Sequence, residues 1–87
     1  MTLEDQARAA LRRGDIAAAA TAAQALCQSE PSHPAGPFLA GMAAAESGQF
    51  GKALPLLQRA AQMAPGNAEY LAQLAKTLIL LRRDGEA

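Results

Sequence analysis

Landmarks in this chain recur every 34 residues. Gly14-Asp15-Ile16 is answered by Gly48-Gln49-Phe50, Ala19 by Ala53, Leu26 by Ala60 and Pro31 by Pro65. The same step aligns Leu3, Pro37 and Leu71, then Gln6, Ala40 and Leu74. Ala7, Gly41 and Ala75 follow, as do Ala10, Ala44 and Leu78. Nearly all of these positions hold small or apolar residues. A period of this length means copies of one supersecondary unit, each able to bury its apolar face only against its neighbours. The 87 residues hold about two and a half such units in a single domain.

Composition says what the unit is made of. The chain has 23 alanines and 12 leucines but no valine, two isoleucines, three threonines and three aromatics. Ala and Leu favour helices, whereas β-branched and aromatic residues favour strands, so the fold class is all-α. Local signals then divide the chain into five helices. Thr2 is placed to cap a first helix from about Leu3 to Arg13, with Asp5 completing a capping box. Gly14 stops that helix, and Asp15 caps a second, about Ile16 to Ser29, which ends before Pro31. A third helix begins within Pro34-Ala35-Gly36-Pro37 and reaches Ser47. A fourth runs from Phe50 to about Ala64, with Pro55 expected to bend it near Gly51. Asn67 caps a fifth, through about Arg83. The Asp84-Gly85-Glu86-Ala87 tail reads as a turn towards a sixth.

Several function classes are excluded or weakened on charge and residue supply. Eight basic and eight acidic side chains cancel, leaving no positive field for a phosphate backbone, and no aromatics are arranged to stack bases. Arg12-Arg13 and Arg82-Arg83 favour the negative C-terminal ends of their own helices. One histidine and one cysteine cannot build a zinc site, and one cysteine cannot form an internal disulfide. No phosphate-binding glycine loop, paired-carboxylate spacing or Ser-His-Asp set occurs, so no catalytic residue, metal or cofactor is expected. His33 reads as a surface-turn residue and Cys27 as a small buried hydrophobe. The start, Met1-Thr2-Leu3-Glu4-Asp5, lacks the basic and apolar segments of a signal peptide. The uncharged windows at 16–29 and 31–45 fall short of the ~20 apolar residues that span a bilayer. A cytoplasmic, membrane-free protein is the expectation, and the alanine content suits a bacterial source.

The 34-residue period, the Gly-x-[Ile/Phe] turn, the alanine three residues beyond it and the closing Ala60-to-Pro65 spacing resemble the tetratricopeptide repeat. The resemblance covers almost the whole chain, as repeats at about 1–33 and 34–67 and a partial third at about 68–87. It implies a right-handed superhelix of antiparallel helix pairs, with Ala7, Gly41, Ala75, Ala19 and Ala53 in slots where paired helices approach closely. The large aromatic slots of the family's first helix hold Leu3, Pro37, Ala10 and Ala44 here, which thins the packing.

The resemblance also implies a non-catalytic protein-interaction scaffold with a concave groove lined by the first helix of each repeat. Carrying the groove slots over gives Glu4, Arg8, Leu11 and Arg12; Phe38, Met42, Ala45 and Glu46; and Glu69, Ala72, Lys76, Ile79 and Leu80. Its middle is apolar with a cation on each side, suiting a peptide with an apolar anchor and nearby acidic groups. The alternative is that Phe38 and Met42 are ordinary packing residues and the charges a solvated face. Alanine at 38 or 42 is otherwise expected to weaken binding without unfolding the domain. The clamp by which some relatives hold a C-terminal carboxylate is not matched, because Glu4, Arg8, Leu39, Glu69 and Gln73 occupy its positions.

Leu78-Ile79-Leu80-Leu81 is the most apolar run, and Leu71, Ala75 and Leu78 are expected to face a missing partner. Two explanations stay open. Leu71, Leu78 and Leu81 pair with a second copy in a homodimer, or the chain is the N-terminal piece of a longer protein. In the latter case the resemblance offers a regulatory or substrate-positioning region of a bacterial sulfotransferase- or glycosyltransferase-like enzyme. A purely structural dimerisation module is the remaining alternative.

Overall fold

A computed structural model describes residues 2–86, with side chains for residues 2–82. Five helices follow one another: α1 (Leu3–Arg13), α2 (Ile16–Ser29), α3 (Ala35–Glu46), α4 (Phe50–Met63) and α5 (Ala68–Glu86). The Thr2 hydroxyl accepts from the Asp5 N–H at 3.1 Å, and the Asp5 carboxylate accepts from the Thr2 N–H, so the capping box forms. Gly14 and Gly48 close α1 and the α3–α4 turn in the left-handed region, at φ 77° and 78°, where any side chain would strain the backbone. Asp15 caps α2 through the Ala18 N–H, and Asn67 caps α5 through the Tyr70 N–H, each at 3.1 Å. Helix α4 continues through Pro55.

Consecutive helices pack as a zigzag, with α3 central: it touches every other helix. The core is mostly alanine (Ala7, Ala19, Ala23, Ala35, Ala53 and Ala60 are at 0 % exposure), and its largest fully buried side chains are Phe38, Leu26, Leu39 and Leu57. Small residues let axes approach. A Cβ added at Gly41 would lie 2.9 Å from Leu57 Cγ and Cδ2, and one at Gly36 would lie 2.8 Å from Cys27 Sγ. The helix-contact slots expected at Ala7, Gly41, Ala19 and Ala53 are thus buried, whereas Ala75 is exposed. No helix among the described residues covers that side of α5.

Two further expectations are corrected. The tail does not turn at Asp84: α5 runs on through Gly85 to Glu86, because one glycine costs a helix only about 1 kcal/mol, while Ala87 lies outside the described residues. Cys27 is half-buried, not buried: its sulfur lies against Gly36, and the residue lines a groove between α2 and α4.

Candidate functional site

The face presented by α1, α3 and α5, here called the inner face, carries two adjoining depressions. One, of about 180 Å³, is lined by Arg8, Leu11, Arg12, Phe38, Leu39, Met42 and Glu69. The other, of about 130 Å³, is lined by Met42, Ala45, Glu46, Phe50, Gln73, Lys76, Thr77 and Leu80. Met42 is half-buried and forms the wall common to both. It reaches this position because α3 is the central helix and its exposed edge points between α1 and α5.

The sequence-derived groove residues divide into three groups. Arg8, Arg12, Phe38 and Met42 meet in the first depression, and Met42, Glu46 and Lys76 meet in the second. Ile79 lines neither and is 56 % exposed on α5. Phe38 is 1 % exposed: it is the floor of the depression and a core side chain at once. Its ring stacks on Tyr70, with centroids 4.3 Å apart and planes at 26°. Removing it therefore removes part of the core, contrary to the expectation that alanine at 38 leaves the fold intact.

Arg8 is not an open cation. Its Nε donates to Glu4 Oε2 at 3.1 Å, while Nη1 and Nη2 donate to Glu69 Oε2 and Oε1 at 3.1 and 3.2 Å. The guanidinium carbon lies 5.8 Å from the Phe38 ring centroid. The hydrogen bond that Arg8 donates to Glu69 is the largest of the effects that raise the Arg8 pKa. Tyr70, beneath, has its phenol pushed up by burial and by the nearby Glu4 carboxylate. Glu4 Oε1 also lies 3.5 Å from His33 Nε2. His33 Nδ1 accepts from the Ala35 N–H at 3.1 Å, which places the proton of the neutral ring on Nε2, facing Glu4. His33 thus stands half-buried as the side-chain cap that Pro34 cannot supply for α3, beyond the surface-turn role its sequence neighbours suggest. By contrast, the side chains of Arg12 and Lys76 make no hydrogen bond or ion pair among the described residues.

Sequence reasoning missed the roomier outer groove, about 350 Å³, between α2 (Ile16, Ala20, Gln24, Cys27) and α4 (Lys52, Leu56) over α3 (Ala40, Ala43, Ala44). Its signal in the sequence is the small residues Ala20 on α2 and Ala40, Ala43 and Ala44 on α3, which leave a gap no side chain fills. Another opening, of about 390 Å³, lies between α1 and α2 at Leu3, Gln6, Ala18 and Thr21. Among the described residues no three His, Cys, Asp or Glu side chains gather as a metal site, and no helix is long and apolar enough to cross a membrane.

Stacked antiparallel helix pairs with their first helices on one face define a helical-repeat superhelix. The tetratricopeptide repeat family model matches residues 44–87, which is half of the chain. The chain belongs to this family, whose domains generally mediate protein–protein interaction and are generally non-catalytic. No curated protein matches the chain.

Proposed function

We propose that the protein is a non-catalytic scaffold that binds a peptide or partner protein on its inner face, around Met42. The observation that carries this reading is the pair of depressions sharing Met42, with Arg12 bordering one and Lys76 the other. An adaptable thioether between two shallow cavities suits an apolar anchor, and the two unpaired cations suit acidic groups on either side of it. Phe38 supplies the floor and Glu46 a polar rim, and Arg8 enters through its pairing with Glu69. The test is a selection of peptides from a random library on the immobilised domain. Selected peptides should lose binding to Met42→Glu while its helix content and thermal midpoint stay those of the wild type. Peptides that bind Met42→Glu as tightly as wild type would refute the reading.

A second reading concerns α5. Leu71 and Leu78 are 45 % and 46 % exposed, with exposed Ala75 between them and half-buried Leu81 beyond. Spacing of three and four residues makes these one helix stripe, and we read it as a self-association surface. Light scattering over a concentration series should give a dimer that Leu78→Lys dissociates. A wild-type monomer at every concentration would end this reading.

A further inference from the structure

The charges on the inner face are joined in a way that bears on how a ligand enters. No Cα atom of α1 lies within 8 Å of one in α5 among the described residues. Arg8 and Glu69, 61 residues apart, nevertheless bridge the two helices through side chains alone. The bridge forms part of the wall of the first depression and lays the guanidinium over Phe38. Its two ends differ in how firmly they are held. On α1, Glu4 holds Nε from one turn away. On α5, Glu69 takes the two terminal nitrogens with a side chain that is 49 % exposed. An ion pair exposed to that extent is screened by water and salt, and is weak enough to exchange.

We propose that Glu69 is an internal stand-in for a ligand carboxylate, so that the Arg8–Glu69 pair is a strap that self-occupies the guanidinium at the edge of the first depression. This inference rests on the inner-face reading above. A partner segment with a carboxylate beside an apolar side chain replaces Glu69 on Nη1 and Nη2, in the same two-pronged geometry. Glu4 keeps Nε throughout, so Arg8 stays anchored to α1 while its outer edge changes partner. As the guanidinium tilts towards the incoming carboxylate, the neighbouring apolar side chain takes its place over the Phe38 ring. The self-occupied state lowers apparent affinity by the fraction of molecules in which the strap is open, and weaker pairing at higher salt raises that fraction. The ligand class is therefore an acidic-apolar segment, and the strap sets a threshold that neutral apolar segments do not relieve.

The test uses a short acetylated, amidated peptide of alternating leucine and aspartate, and its leucine–asparagine counterpart. Each is titrated against wild type, Glu69→Gln and Glu69→Asp, with Arg8 Nε and the Met42 methyl followed by NMR. Glu69→Asp keeps the charge but is too short to span to Arg8, so it separates the strap from the general field. Both variants should bind the aspartate peptide about two- to fivefold more tightly than wild type, the range that removing a partly exposed internal competitor allows. The asparagine peptide should not distinguish the three chains. Tightening by Glu69→Gln alone, or equal affinity of all three chains for the aspartate peptide, would overturn the strap and leave the Met42 reading standing. Binding of neither peptide to any chain would overturn the strap as well, while the inner-face reading would then fall only if its own library selection showed Met42 to be indifferent.

Discussion

Phe38 joins the core to the inner face. Its ring touches Tyr70 on α5 and lies under Arg8 of α1, so one side chain of α3 ties three helices together. In a core built mainly of alanine, little else near it is large enough to close the gap its loss would leave. Phe38→Ala should cost about 3–5 kcal/mol by urea denaturation, a large share of the 5–15 kcal/mol typical of a whole domain. A loss below 1 kcal/mol would mean that the ring is not packed as described. Tyr70 adds a pH dependence. Burial raises its phenol pKa above the unfolded value of about 10, so the folded state holds the proton more tightly. That contribution is complete below the unfolded value and is lost as pH climbs through the folded one. Thermal midpoints should fall above about pH 10, and Tyr70→Phe should remove that component of the fall. None of these contacts was legible in sequence. Phe38 and Met42 both sat at groove slots, but helical spacing does not say which of two inner-face apolar residues is floor and which is wall. Arg8 and Glu69 were both placed on the inner face as independent charges. That they pair depends on the lateral distance between α1 and α5, which no local pattern encodes.

Between elements, two glycines inside helices separate packing from propensity. Gly41 is where α3 meets Leu57 of α4, and an added Cβ would come within 2.9 Å of a leucine that is itself 0 % exposed. Gly51 has no atom within 4 Å of the same virtual Cβ. Gly41→Ala should destabilise by about 1–3 kcal/mol through overpacking, despite the helix-forming advantage of alanine. Gly51→Ala should stabilise by about 0.5 kcal/mol through that same advantage. Paired denaturation curves check both, and equal effects would contradict the α3–α4 register. The helices themselves were largely legible. Thr2, Asp15 and Asn67 cap, Gly14 and Gly48 turn, and each of these devices acts within four residues of its target. The end of α5 was misread because Asp84-Gly85 resembles a turn in isolation, and a glycine ends a helix only where the chain leaves the right-handed region.

For the whole molecule, a fixed period gave the architecture and the face on which first helices gather, since every copy obeys the same geometry. It gave less about the gaps between copies. The outer groove over Ala40, Ala43 and Ala44 and the depressions around Met42 arise from side-chain volumes summed over three helices. Both grooves exist, and among the described residues the inner one is flanked by cations without a side-chain partner on two helices, Arg12 and Lys76, whereas Lys52 is the single cation lining the outer one. The central claim is that partners seat there. The most direct measurement is methyl NMR of the domain titrated with a peptide it has selected. Met42 reports the inner face, and Met63, at the end of α4, lines none of the four cavities described above. A partner seated on the inner face should give a saturable shift of the Met42 methyl with Met63 unmoved. Saturable binding that leaves Met42 unmoved and perturbs only the Ile16 and Leu56 methyls would place the partner on the outer groove and contradict the inner-face seat.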